Sequence, residues 1–169
     1  MVHIGRMVLL LCVKRKLKGK LMKINFIDLQ SQYQKYKEEI DKELHDVLDT
    51  SGYILGPKVA NLEENLAKFV GCKHAIACSS GTDALVLALM SIGIEPGDEI
   101  ITTPFTFIAT AETIAFLGAV PVFVDVDEET YNIDVNLIED KITSKTKAIM
   151  PVSLFGQIAD MNEINLIAK

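Results

Sequence analysis

Residues 74–103 read HAIACSSGTDALVLALMSIGIEPGDEIITT, and this stretch decides the fold class. The apolar run His74–Cys78 predicts a strand over His74–Ser79, the helical spacing that follows predicts a helix over Thr82–Ile92, and Glu99–Thr103 predicts a second strand. Gly93 and the Pro96-Gly97-Asp98 turn separate the helix from the second strand. A strand, a helix and a strand joined by short turns are typical of a parallel α/β sheet.

The same alternation continues on the C-terminal side of this stretch. The predicted elements are a helix Ala109–Leu117, a strand Val120–Val124, a helix from the N-cap Asp134 through Ile142, a strand Ala148–Leu154 and a last helix after a capping box at Asp160. We therefore expect an α/β fold with a mainly parallel sheet and helices on both faces. Ligands in such sheets bind beyond the carboxyl ends of the strands. Four loops lie there: residues 79–83, 103–107, 125–127 and 153–157.

Two amphipathic helices are expected before the sheet. Apolar residues recur at helical spacing from Tyr33 to Val47, and Pro57 and Gly71 mark the first position and the end of a second helix. Three segments follow from this layout: a basic and apolar extension outside the fold (residues 1–21), a helical segment with a loop at 52–56 (residues 22–72), and an α/β domain (residues 73–169).

The charge of the chain is uneven. Residues 1–21 hold six basic residues and no acid, whereas the rest holds 11 basic and 23 acidic residues, a balance of −12. This acidic body argues against nucleic acid as a partner. The apolar run Met7–Val13 is too short to span a membrane, and its flanks do not match a signal peptide. We expect an extension with Met22 as the true start; a short membrane-surface anchor is the alternative.

The three cysteines have no CxxC spacing and the three histidines no ligand pairing. This pattern predicts a reduced, cytoplasmic, metal-free protein. His74 and Cys78 are expected to be strand residues in or beside the core.

The first loop has the form of an anion site. Gly81 lets a ligand approach the backbone, and the N–H groups of Thr82, Asp83 and Ala84 lie at the positive end of a predicted helix. The hydroxyls of Ser80 and Thr82 add further hydrogen-bonding groups. An ordinary N-cap at Ser80 or Thr82 is the other interpretation of the same residues.

The other three loops carry aromatic, acidic and polar residues. Phe105 is expected in the core, and Phe107 beside the first loop is able to stack on a planar ring. The acids at 125–129 predict a solvated turn capped by Asp127 or Asp134, with a divalent-metal site as the alternative. Ser153 and Gln157 are candidate polar contacts, because no histidine near them in sequence makes either residue a nucleophile.

Three stretches resemble the DegT/DnrJ/StrS family of sugar-nucleotide aminotransferases. They are SGYILGPKVANLEENLAKFVG (51–71), the run from HAIACSSGTDAL to ETYNID (74–134) and TKAIMPVSLFGQIADMNEI (146–164), and together they cover most of residues 24–169. The resemblance implies the fold-type I architecture, the cofactor pyridoxal 5′-phosphate (PLP) and the N-terminal part of the large domain.

The resemblance also implies roles for individual residues. Gly81, Thr82 and Asp83, with Ser80 beside them, correspond to the turn that binds the PLP phosphate, and Phe107 to the aromatic residue that stacks on the PLP ring. Tyr53 corresponds to a residue near the substrate entrance, and Ser153 and Gln157 to a segment beside the cofactor.

The family's reaction transfers an amino group from an amino-acid donor, here expected to be glutamate, to a nucleotide-linked keto sugar, for surface-glycan or glycosylated-metabolite synthesis. Family members are homodimers. The lysine that holds PLP covalently stands in a later motif of the family, which Lys141, Lys145 and Lys147 do not match, so we expect this chain to be inactive alone. A non-catalytic phosphate- or nucleotide-binding module and a subunit completed by a partner chain are the alternatives.

Overall fold

The computed structural model describes two short strands, Arg15–Leu17 (β1) and Lys20–Met22 (β2), and residues 27–169. The chain forms two compact units, Met1–Ala75 and Ile76–Lys169. Most of the expectations about residues 1–21, including the apolar run at 7–13, lie outside the described residues. Within the described part, no helix is both long and apolar enough to cross a membrane.

The first unit contains a small hairpin and two helices. Strands β1 and β2 pair antiparallel, and β2 spans the expected boundary between residues 21 and 22. Helix α1 covers Leu29–Thr50 and helix α2 covers Pro57–Val70. Pro57 stands in the first turn of α2 and Gly71, at a φ of 77°, caps its end, as the sequence predicts.

The second unit contains a three-stranded parallel sheet in the order β4-β3-β5. Strand β3, at the centre, is Glu99–Thr102, and its neighbours are β4 (Val120–Phe123) and β5 (Thr146–Ile149). The helices are α3 (Gly81–Ser91), α4 (Ala109–Phe116) and α5 (Met161–Ile167). This confirms the predicted α/β fold.

Two apolar clusters cover the two faces of this sheet. Ile100 packs with Leu89 of α3 and Ile114 of α4, whereas the next residue, Ile101, packs with Ile138 and with Ile164 of α5. Because successive side chains of a strand point to opposite faces, β3 is buried on both sides.

The predicted strand His74–Ser79 is wrong, because these residues form no strand of the sheet. The positions on both sides of β3 are taken by β4 and β5, and the side chain of Ile76 is 83% exposed. An alternating apolar pattern makes a strand only where a neighbouring strand supplies the ladder. The expectation that His74 and Cys78 are core strand residues fails with it, since both are exposed.

Two further elements differ from the expectation. The predicted helix after Asp134 consists of two 3₁₀ turns, Val135–Leu137 and Glu139–Lys141, although Asp134 does cap the first by accepting from the N–H of Asn136. Valine, asparagine and aspartate are weak helix formers, and so short a segment is not stable as an α-helix on propensity alone. Strand β5 ends at Ile149 rather than Leu154, because Pro151 has no N–H for the ladder.

Candidate functional site

The first turn of α3 is organised around two side chains, Ser80 and Asp83. The Oγ atom of Ser80 accepts from the Asp83 N–H at 3.1 Å and donates to Asp83 Oδ2 at 2.8 Å. The Ser79 hydroxyl donates to the same carboxylate oxygen. These hydroxyls, that of Ser79 first, hold the pKa of the Asp83 carboxyl below its ordinary value. Ser80 is therefore the N-cap, and Asp83 holds the turn in shape.

The N–H groups that this turn offers to a ligand differ from the expected ones. The Asp83 N–H is used by Ser80 Oγ, and the Ala84 N–H donates to the Ser80 carbonyl at 3.0 Å. Within the part of the chain that the structure describes, the N–H groups of Gly81 and Thr82 have no acceptor. The available donors are therefore these two groups and the Thr82 hydroxyl.

Gly81 leaves open space at this helix start. A Cβ atom built on Gly81 meets nothing within 4 Å, and its φ is not in the left-handed region. Neither the backbone conformation nor the packing of the described residues therefore requires a glycine here. This open space lies beside two free N–H groups at the positive end of an 11-residue helix.

The loop after β3 is fixed by threonine side chains. Thr103 Oγ1 accepts from the Phe105 N–H at 3.2 Å, and the hydroxyls of Thr106 and Thr110 lie 2.9 Å apart. Phe107 follows, with its side chain 69% exposed and its carbonyl accepting from the Thr110 N–H. Its ring is thus presented to solvent from an anchored backbone.

Phe105 is not in the core, contrary to the expectation. Its ring is partly exposed and packs against Tyr131 at a centroid distance of 5.7 Å and against Phe155 at 6.3 Å. Tyr131 and Phe155 meet edge to face at 5.8 Å. We call these three residues the aromatic cluster. Phe105 is not buried in the core because its loop lies beyond the end of β3. Its neighbours there are Tyr131 and Phe155, which belong to the loops after β4 and β5.

The acidic loop forms a tight turn. Asp127 Oδ1 accepts from the N–H and hydroxyl of Thr130, both at 2.8 Å, and these bonds lower the pKa of Asp127. The Asp127 N–H donates to the Asn132 carbonyl, which closes a hairpin. This supports the expected capping by Asp127. Among the described residues, no three His, Cys, Asp or Glu side chains are arranged to hold a metal ion.

Ser153, Gln157 and Tyr53 are placed as follows. The Ser153 carbonyl accepts from the Gly156 N–H at 3.0 Å, which makes a turn with Gly156 at a φ of 84°. Gln157 lines a groove with residues of the 127–136 segment, and no residue of the first loop lines that groove. Tyr53 lies in the first unit, exposed, with its hydroxyl 3.5 Å from the Leu48 carbonyl.

Sequence reasoning missed Tyr131 and Asn132. Tyr131 lies in the hairpin, one residue before Asn132. Its ring packs against Phe105 and Phe155, which both stand in loops predicted to lie beyond the carboxyl ends of the strands. The carboxyl-end rule finds both residues once the loop after β4 is extended past the acids to Ile133, which pairs with Val126 in the structure.

Comparisons with known proteins agree with this fold. The model of the DegT/DnrJ/EryC1/StrS aminotransferase family matches residues 34–169. A UDP-2-acetamido-2-deoxy-3-oxo-D-glucuronate aminotransferase of Pseudomonas aeruginosa is 55% identical over 146 residues, which are 86% of this chain and 41% of that protein. A dTDP-3-amino-3,6-dideoxy-alpha-D-galactopyranose transaminase of Aneurinibacillus thermoaerophilus is 46% identical over 86% of this chain and 40% of its own length.

Among solved structures, NtdA of Bacillus subtilis with the bound cofactor PMP superposes with a TM-score of 0.85 at 35% identity. The match covers 93% of this chain and 36% of that one. The chain thus spans about two fifths of the length of the curated relatives that it matches.

Proposed function

Because this chain belongs to the DegT/DnrJ/EryC1/StrS aminotransferase family, we propose that it forms the cofactor-phosphate-binding part of an enzyme that aminates a nucleotide-linked keto sugar. The amino donor is an amino acid, which we propose to be glutamate, and the product serves glycan or glycosylated-metabolite synthesis. Family members use PLP. The observation that carries the proposal for this chain is the open first turn of α3.

The residues of this turn fit the phosphate of PLP. The N–H groups of Gly81 and Thr82 and the Thr82 hydroxyl would donate to the phosphate, and the open space at Gly81 would leave room for it. Ser80 and Asp83 do not contact it directly. They hold the turn in shape by their mutual hydrogen bonds.

Phe107 is proposed to orient the pyridine ring. Its exposed ring stands on a loop that Thr103, Thr106 and Thr110 fix in place, and offset stacking of two aromatic rings contributes about 0.5–1.5 kcal/mol beyond area burial. When bound, PLP supplies the electron-withdrawing ring through which an amino group is exchanged. This chain's residues bind its phosphate and fix the plane of its ring.

The lysines of the second unit support the proposal that this chain alone does not hold PLP covalently. Lys141 and Lys145 precede β5 and so lie toward the amino end of the parallel sheet, and Lys147 is on the strand itself. Lys169 follows α5. None of these four residues follows a strand of the sheet at the ligand edge.

PLP binding by the purified chain tests the phosphate turn. We expect Gly81→Ala to weaken PLP binding at least tenfold in a calorimetric titration while the circular dichroism spectrum is unchanged, because the new Cβ occupies the phosphate's space without touching the protein. Ser91→Ala, at the other end of the same helix, is the matched control and should bind PLP normally. Equal affinity of Gly81→Ala and the parent chain would refute the assignment.

Covalent attachment is tested separately. After incubation with PLP, borohydride reduction and dialysis, mass spectrometry should find no stoichiometric pyridoxyl adduct on any lysine, and no amino transfer from glutamate should be detected. A single lysine labelled to completion would show that the chain holds its cofactor by itself.

A further inference from the structure

A groove of about 520 Å³ lies between the hairpin and 3₁₀ turn of residues 127–136 and the segment of residues 157–160. Its size is within the range of small-molecule sites. No residue from the first turn of α3 or from the aromatic cluster lines it, so it is a separate feature of the second unit. Its lining includes three aspartates and one glutamate, which are Asp127, Glu129, Asp134 and Asp160.

One carboxylate oxygen of each aspartate holds the local backbone, and the other is available. In Asp127, Asp134 and Asp160, the Oδ1 atom accepts from backbone N–H groups two or three residues further along the chain. No donor among the described residues reaches the three Oδ2 atoms or the carboxylate of Glu129. Because an aspartate that is already anchored loses little side-chain freedom on binding, these carboxylates are preorganised acceptors.

The four carboxylates have no counter-charge within the part of the chain that the structure describes. None of them belongs to an ion pair, and no lysine, arginine or histidine lines the groove. The sequence itself contains no lysine or arginine between Lys73 and Lys141. Uncompensated negative charges around one cavity raise the local concentration of cations and disfavour anions. The groove therefore selects a positively charged ligand.

A buried amide supplies a further and independent acceptor in the groove. Asn132 is only 7% exposed, its Nδ2 donates to the Ile158 carbonyl at 3.3 Å, and no donor among the described residues reaches its Oδ1. That oxygen is not sealed from solvent, because every fully buried side-chain nitrogen or oxygen of the described residues has a partner. Since unpaired polar atoms on buried side chains are rare, this oxygen indicates a ligand that carries hydrogen-bond donors.

The spacing of the acids separates a metal ion from an organic cation. Among the described residues, no three His, Cys, Asp or Glu side chains are arranged to hold one metal ion. An organic polyammonium ion carries its charges apart, and each ammonium group has several N–H donors for carboxylate and amide oxygens. The methylene carbons between its charges match the apolar part of the lining, Ile133, Val135 and the 74% exposed Ile158.

From these observations we propose that the groove is a binding site for a linear aliphatic polyamine in its polyammonium form. The ammonium groups bind to the free carboxylate oxygens and to Asn132 Oδ1, and the methylene chain lies on the apolar lining. An amino-acid donor does not fit this site, because its own carboxylates would face those of the groove. The proposal goes beyond the proposed function and involves none of the residues that this function assigns to PLP.

Titration of the purified chain with spermidine at physiological ionic strength, by calorimetry and NMR, tests the site. We expect saturable binding that shifts the backbone amides of residues 127–136 and 157–160 and the side-chain amide of Asn132. Glu129→Gln should bind spermidine more weakly by about threefold or more. Glu128→Gln removes the same charge from a neighbouring acid that does not line the groove, so it is the matched control and should bind as the parent does. Both glutamates are exposed, and so both variants should fold.

Parallel titrations with putrescine, butylamine and calcium chloride at the same ionic strength separate a polyamine site from its alternatives. Affinity should fall from spermidine to putrescine to butylamine, because each carries fewer ammonium groups. Equal weakening in Glu129→Gln and Glu128→Gln would show unspecific attraction to an acidic surface and overturn the proposal. Shifts confined to other parts of the chain, or tighter binding of calcium than of spermidine, would also overturn it. The PLP titration of Gly81→Ala is read independently, since PLP affinity should be the same in Glu129→Gln and the parent.

Discussion

Glycine has opposite uses at two positions of this chain. At Gly56, a Cβ atom would lie 2.3 Å from the Gly52 carbonyl oxygen, so the loop between α1 and α2 closes only because the side chain is absent. At Gly81, a Cβ atom would lie in open space. The first glycine is required by the packing of the loop, whereas the packing of the described residues does not require the second.

This contrast gives a prediction for stability. Gly56→Ala should lower the free energy of unfolding by about 1–3 kcal/mol, because the backbone of the 52–56 loop has to move. Gly81→Ala should leave stability unchanged or raise it slightly, since alanine is the better helix former. Urea denaturation followed by circular dichroism measures both. An unchanged free energy of unfolding in Gly56→Ala would mean that the 52–56 loop can accommodate a Cβ atom at this position.

The lowered pKa of Asp83 gives a prediction for pH. Its carboxylate is favoured in the folded protein by the hydroxyls of Ser79 and Ser80, so the stability that it contributes is complete above the ordinary aspartate pKa and is lost as the pH falls through the lowered one. In Ser79→Ala, the Asp83 pKa should rise toward the ordinary value and acid unfolding should begin at a higher pH. Carboxyl ¹³C NMR measures the pKa, with Ser91→Ala as control; an unmoved Asp83 pKa would contradict the assigned cause.

At the scale of elements, β3 joins two separate cores. Ile100 and Ile101 are adjacent in sequence and both fully buried, yet they belong to different clusters on opposite faces of the sheet. Thr102 adds a side-chain hydrogen bond between β3 and the segment after β5. Its hydroxyl donates to the Met150 carbonyl at 2.8 Å, one residue beyond the last backbone pair, Ile101–Ile149. Each of these two β3 side chains therefore packs in one core only, and the two cores are connected through the backbone of β3.

Conservative truncations of β3 should consequently be additive. Ile100→Val and Ile101→Val should each cost about 0.5–1.5 kcal/mol, and the double variant the sum within about 0.5 kcal/mol. Ile76→Val, at an exposed site, should cost nothing measurable. The measurement is urea denaturation of the four variants and the parent chain. A double variant that costs much less than the sum would show that the two cores are coupled through the strand.

Local signals in the sequence predicted most elements, and tertiary partners explain where they failed. Pro57, Gly71, Asp134 and Asp160 mark helix ends correctly, because caps depend on neighbouring residues only. The strand expected at 74–79 failed, because pairing depends on residues distant in sequence. The turn at Gly81 was recognisable because it too depends on neighbouring residues, and the N-cap at Ser80, which was the other interpretation of this turn, engages two of the three expected N–H groups.

At the scale of the molecule, the boundary between the two compact units falls at Ala75 and Ile76. The segment of residues 71–79 around it contains no helix or strand, and Lys73 is exposed. Exposed irregular segments between compact units are preferred sites of proteolysis.

Within residues 27–169, limited digestion with trypsin should therefore cut first after Lys73. Lys147 is also exposed but lies on β5, whose backbone is paired with β3, and it should resist until the second unit unfolds. Mass spectrometry of early fragments identifies the site. Early cleavage after Lys147 would mean that the edge strand opens before the connecting segment is reached.

The order of the strands in the sheet also affects how the chain emerges during synthesis. Central β3 is made before either of its neighbours: Val122, which pairs with Ile101, comes 21 residues later, and Ile149, its partner on the other side, comes 48 residues later. At a translation rate of about 5–20 residues per second, an apolar strand waits roughly 1–4 s for its first neighbour. Once β3 has emerged, the nascent chain thus presents an unpaired, two-sided apolar segment to chaperones, and slowing translation while β3 has left the ribosome and β4 has not should increase aggregation more than slowing it after both neighbours have emerged.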